Sequence, residues 1–203
     1  MILYFVRRLK LKKLVRELRK AIATETVKFS ADIKDQYDGE LNQSTLTLGA
    51  LGFFIHLLDR VSVRRDGDAL RRVAFMPTAY SLVRRFTRVS RELDARSAKT
   101  TKDDALKYVN LRCSEYSGAP SVLGSTAEDT TSALWLAASA IAADVGHPRQ
   151  PMLVLFIQER LLQGIMELKL AQRVEAIETL LRPSLRRRFM KPADTGGLTS
   201  TIL

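Results

Sequence analysis

Apolar residues along this chain recur at steps of three and four in nearly every segment, the period of an α-helix. No alternating run bounded by turn signals reads as a strand, and no internal repeat appears. Leu11, Leu14, Val15, Leu18 and Ile22 line one face of a first helix expected over about residues 7–37, ended by Asp38-Gly39. A second helix is expected from about Glu40 to Val63. It carries two apolar stripes, Leu41/Leu48/Leu51/Ile55/Leu58 and Leu46/Phe53/Leu57/Val61, and so belongs at the centre of the fold. Arg64-Arg65-Asp66-Gly67 reads as a charged turn. Asp68 is placed to cap the next segment, which Pro77 kinks or splits.

Beyond the proline, Leu82, Phe86, Val89 and Leu93 point inward. Thr101 and Asp104 have capping-box spacing before a stripe of Leu106, Val109, Cys113 and Tyr116, which ends at Gly118 and Pro120. Ser125 and Glu128 form a second capping box, expected to open an Ala-rich helix through Trp135 that stops at Gly146. Pro151 starts the last helix, expected to run unbroken to about Leu181, just before Pro183. Thirty residues of helix would be about 45 Å long. Met152 to Ile157 is apolar all round and is expected to be buried. The fold class is therefore all-α: one bundle of six or seven helices over residues 1–190, with a long C-terminal helix and a flexible tail at 191–203. The expected core includes Leu48, Ile55, Leu58, Phe86, Val109, Leu134, Trp135, Leu155, Phe156 and Leu162.

Composition agrees with a globular chain, 46% hydrophobic and 27% charged over 203 residues. Cys113 is the single cysteine, so no intrachain disulfide forms, which suits a reducing compartment. The apolar start, Met1 to Val6, precedes the charges, the reverse of a secretory signal. Residues 1–16 contain no acid and are compatible with an organellar presequence, but they lack Ser, and the basic helix runs on past Glu17. Leu46 to Leu58 is too short and too interrupted to span a bilayer, which takes ~20 residues. The expected location is cytoplasmic, at most peripheral to a membrane.

Charge is where the chain departs from the ordinary. The net +11 resides in the two ends: eight Lys/Arg against Glu17 in residues 1–20, and five against Asp194 in 182–203. Arg8, Lys10, Lys12, Lys13, Arg16, Arg19 and Lys20 all lie off the Leu11/Leu14/Leu18 stripe. Arg84, Arg88 and Arg91 share the outer face of the helix after Pro77, and Arg186, Arg187 and Arg188 follow the last helix. Such patches suit an acidic partner. The competing reading is a bundle helix whose charges are merely solvated.

Chemical motifs are lacking. There is no phosphate-binding glycine loop, no nucleophile elbow, and no Glu three residues before His56 or His147, as a di-metal bundle would need. No cofactor or metal is expected, and no catalytic residue is assigned. One stripe remains: Gly49, Gly52, His56 and Asp59 share a side of the second helix and form a ligand-pocket candidate. Its simpler explanation is tight packing at the glycines, with Asp59 paired to Arg60 or His56. A His with one carboxylate and no activated nucleophile is not a catalytic set.

The sequence therefore points to a non-enzymatic interaction protein docking through its basic ends. An acidic protein surface ranks first as partner, an anionic membrane second and nucleic acid third. The alternative is a ligand-binding protein or enzyme with its site near His56 and Asp59.

Overall fold

Helical periodicity becomes helix throughout. The computed structural model describes the backbone of residues 2–37, 40–93, 101–124 and 129–189, with side chains placed for 5–37, 40–64, 70–88, 101–124 and 129–181. The elements are α1 (Ile2–Gln36), α2 (Gln43–Leu70), a π-helical turn (Arg71–Phe75), α3 (Met76–Leu93), α4 (Lys102–Ser117), α5 (Ala133–Asp144), α6 (Pro151–Leu168) and α7 (Leu170–Phe189). No strand occurs among the described residues. The all-α bundle is the fold.

As its two stripes required, α2 is central. Every residue from Leu51 to Leu58 is buried, and α2 packs against α1, α3, α4, α5 and α7. By length and composition Gln43–Arg64 would suffice to cross a membrane, a longer apolar helix than the run the sequence suggested. Most of it is buried inside the bundle, as a core helix must be. Helical backbone continues past the expected end at Val63, and Asp68 falls inside α2 rather than at a cap. The axis nonetheless bends within this extension, because Arg71 pairs with Asp59 twelve residues earlier. The π-turn follows, with the Met76 N–H bonded to the Arg71 carbonyl five residues back. Pro77 supplies the cause: it has no N–H to donate, and its ring crowds the preceding turn, which a widened turn accommodates.

The caps divide into one confirmed and one displaced. At Thr101 the capping box forms: the Asp104 N–H donates to Thr101 Oγ1 at 3.1 Å, and the Thr101 N–H donates to Asp104 Oδ2 at 3.3 Å. The Ser125/Glu128 box lies outside the described residues. Ser132 caps α5 instead, accepting from the Trp135 N–H at 3.1 Å. At the other end Gly146, φ +92°, terminates α5: the Gly146 N–H reaches the Ala143 carbonyl and the His147 N–H the Ala142 carbonyl. The expected stop at Asp38-Gly39 also lies outside the described residues, and α1 ends at Gln36.

The long C-terminal helix is two helices. Lys169 adopts φ 46°, a left-handed backbone that ends α6, and Arg173 Nε donates to the Leu168 carbonyl left free there, at 2.8 Å. The two-residue step from Leu168 to Leu170 is the phase slip this break leaves in the apolar pattern, and both leucines are buried. Pro183 does not stop the chain's helical backbone, which continues to Phe189. The expected tail at 191–203 lies outside the described residues.

One hydrophobic core joins all seven α-helices. Ile55, Leu58, Phe86, Val109 and Leu134 are in it as expected, while Leu48, Trp135 and Phe156 are partly buried against it. Leu155 and Leu162 are corrected, being exposed. With Met152 and Met166 they form an outer stripe on α6, so Met152 to Ile157 is not buried all round. An all-apolar run shows no phase, and only the neighbouring helices decide which side they cover.

Candidate docking surface

The outer end of α1 is solvated. Every side chain from Phe5 to Lys10 is exposed, Leu11 and Leu14 are partly buried against the core, and Val15 is the first that is buried. At 1.5 Å per residue this leaves about 9 Å of helix without a covered side chain. Arg7, Arg8, Lys10, Lys12, Lys13, Arg16 and Lys20 are all exposed. Their compensation by acid is slight: the Lys13–Glu17 contact is 3.9 Å long on a solvated face.

Polarity inverts along this end. In helical register, Arg7 continues the line of Leu14 and Leu18, and Arg8, expected off the stripe, falls on its edge above Val15. Phe5, Val6 and Leu9 occupy the opposite side and are 62%, 42% and 50% exposed. Below them on that outer side come Lys12, Lys13, Arg16 and Lys20. The outer face thus reads apolar at the end and cationic behind it.

The fold brings a second basic stretch to this helix. Arg19 is half-buried where α1 meets α3, and its Nη1 donates to Ser81 Oγ at 3.3 Å. Arg84, Arg85 and Arg88 on α3 are exposed as well. The side chains of Arg91, Arg186, Arg187 and Arg188 lie outside the described residues.

The Gly49/Gly52/His56/Asp59 stripe is a packing face. A Cβ on Gly49 would sit 2.5 Å from Ile141 Cγ1, so the missing side chain is what lets α5 approach α2. Gly52 faces Arg112 and Tyr108 of α4 at ordinary contact distance. His56 is buried, edge-on to the Tyr116 ring at 5.6 Å between centroids. Burial, with Arg60 adding to it and Asp59 opposing, lowers its pKa to about 4, so the imidazole is neutral at physiological pH. Asp59 pairs with Arg71, not with Arg60 or His56. Arg60 donates to the Ala119 carbonyl at 2.8 Å. Burial also pushes the Cys113 thiol up to about 12, which keeps it protonated and a poor nucleophile.

A polar network between α1 and α6 was not visible in the sequence. Buried Arg160 lies 2.5 Å from Asp32 and 3.6 Å from buried Glu25, and it donates to Gln163 Oε1 at 2.7 Å. Lys28 holds Glu167 at 2.9 Å. Burial, together with the nearby Glu167, raises the Glu25 pKa, while the Lys28 hydrogen bond lowers that of Glu167. Beside them an open cleft of about 370 Å³ is lined by Glu17, Lys20, Glu25, Glu167 and Arg173, a mixture of both charge signs. These acids and bases are far apart in sequence, and their only hint was polar residues at inward positions. No cluster of three or more metal-ligating side chains occurs among the described residues.

Comparison with known proteins yields no matching family model, no similar curated protein and no similar solved structure. The functional reading accordingly rests on the geometry above.

Proposed function

We propose that this chain is a non-enzymatic helical docking protein that lays the basic outer part of α1 on an acidic partner surface. The carrying observation is the cationic exposure of α1: seven exposed Lys/Arg between Arg7 and Lys20, which no packing requirement explains. Side chains that leave the core untouched and concentrate one charge sign raise the local concentration of an oppositely charged partner. The stripe around His56 supports this reading by default of the other. Its glycines are filled against neighbouring helices, and its carboxylate is held by Arg71.

The test is capture from native lysate at low and high salt by the intact chain and by Lys12→Glu/Lys13→Glu/Arg16→Glu. The expected result is salt-sensitive capture that the triple reversal abolishes while the melting temperature stays within a degree or two. Capture unaffected by salt or by the reversal overturns the proposal, because exposed charges are screened beyond about 8 Å at physiological ionic strength.

A further inference from the structure

We infer that the acidic surface is an anionic lipid bilayer, entered by the Phe5/Val6/Leu9 end of α1 with Lys12, Lys13 and Arg16 at the headgroups. This rests on the docking proposal above and names its partner. Charge alone does not choose between lipid, protein and nucleic acid. The exposed apolar residues do.

Phe5, Val6 and Leu9 lie on the side of α1 turned away from the core stripe, so they are not the continuation of a packing face. A solvated helix end has no need of a phenylalanine 62% exposed. The longitudinal order matters as much as the composition. Phe5 and Lys12 are seven residues apart, about 10 Å along the axis. An interfacial helix buries its apolar groups about 5–10 Å into the boundary between headgroups and acyl chains. With the end of α1 entering at an angle, the apolar residues reach that depth as Lys12, Lys13 and Arg16 meet the lipid phosphates. Arg7, Arg8 and Lys10, which lie at the level of the apolar residues, have stems long enough to snorkel back to the phosphates. The absence of acid from residues 5–16 removes the repulsion that an anionic leaflet would otherwise exert.

The exposed apolar stripe on α6 lacks this combination. On α6 the Met152/Leu155/Leu162/Met166 stripe is interspersed with exposed Glu159 and Gln163 and bordered by Glu167. It would be repelled by the leaflet that attracts α1. A nucleic-acid site would place stacking aromatics among its cations, yet Phe5 is the one aromatic with a described side chain between residues 5 and 20.

The experiment measures flotation of the full chain with vesicles of phosphatidylcholine alone and of phosphatidylcholine with 30% phosphatidylserine, at about 0.1 M salt. In parallel it measures retention on immobilised heparin, polyglutamate and duplex DNA. The chain is expected to float with the phosphatidylserine vesicles and not with phosphatidylcholine. Each neutralised cation should weaken partitioning about fivefold, so Lys12→Ala/Lys13→Ala should lose about 25-fold. Phe5→Glu/Leu9→Glu should lose vesicle binding while its retention on heparin and its helical circular dichroism change little. Vesicle binding indifferent to Phe5→Glu/Leu9→Glu overturns the insertion. Retention on polyglutamate or DNA with no flotation overturns the lipid assignment and leaves acidic docking standing. Failure on every polyanion overturns both.

Discussion

Arg71 grips Asp59 with two bonds, Nε to Oδ1 at 2.8 Å and Nη2 to Oδ2 at 3.2 Å, across twelve residues of helical chain. On a straight helix twelve residues rise about 18 Å, further than these two side chains reach together. The pair therefore marks a bend in the helical path between Asp59 and Arg71. It also consumes the carboxylate that the sequence had set beside His56. Both side chains are partly solvated, so the pair contributes modestly despite its fork geometry. A double-mutant cycle with Asp59→Asn and Arg71→Ala should give a coupling of about 0.5–1 kcal/mol in urea denaturation. Zero coupling would mean that the turn is fixed by its apolar contacts alone.

The two glycines of the α2 stripe should respond in opposite directions. Gly49→Ala forces a methyl to 2.5 Å from Ile141 Cγ1, near the root of a stiff branched side chain, and should cost about 1–3 kcal/mol. At Gly52 the nearest atom is Arg112 Cβ at 3.6 Å, ordinary contact. Gly52→Ala should therefore be neutral or stabilise by up to about 1 kcal/mol through helix propensity. Denaturation midpoints check both, and equal effects would discredit the assigned helix spacing.

Leu58 and Leu155 were expected to be equally buried and are not. Leu58 is fully buried, so Leu58→Ala should cost about 2–5 kcal/mol. Leu155 is 43% exposed, and Leu155→Ala should stay within about 0.5 kcal/mol. A large loss at Leu155 would show that the outer face of α6 is covered in solution, by a second copy or another molecule.

His56 should make the fold acid-sensitive. Its pKa is about 4 in the native chain against 6.5 for a solvated imidazole, so between those values the unfolded chain binds the extra proton. Stability contributed by the neutral imidazole is complete above pH 6.5, falls as the pH drops, and is lost below about 4. The full effect is up to about 3 kcal/mol. Glu25, whose pKa is raised, acts with the opposite sign: its contribution is present in acid and lost as the pH rises through its native value. Comparing the intact chain with His56→Phe isolates the histidine. Denaturation at pH 7 and pH 4.5 should show a larger loss for the intact chain, and parallel losses would exclude His56 as the cause.

Arg160 supports α1 against α6 from a buried position between Asp32 and Glu25. Arg160→Met removes one partner and leaves the partly solvated carboxylate of Asp32 without its cation, which should cost about 1–3 kcal/mol. Adding Asp32→Asn should recover part of that loss. No recovery would show that the guanidinium stem, not its charge, holds the helices together.

What the sequence by itself determined here is helix: its period, the capping box at Thr101, the stop at Gly146, the start at Pro151 and the central place of α2. These follow from local forces, since capping, backbone freedom and amphipathic spacing act within a few residues. The cationic character of α1 was equally legible, because nothing packs against a run of Lys and Arg. Tertiary structure decided the rest. Whether Met152–Ile157 was buried all round, which partner Asp59 takes, and that Arg19 meets Ser81 depend on neighbours distant in sequence. The break at Lys169 belongs with them: a single left-handed residue scarcely disturbs local spacing, but it redirects a whole helix onto α1 and α2. That Phe5 could enter a membrane interface was legible from the apolar start of the chain, but the exposure of Val6 and Leu9 beside it was decided by packing, which turns the core stripe of α1 the other way.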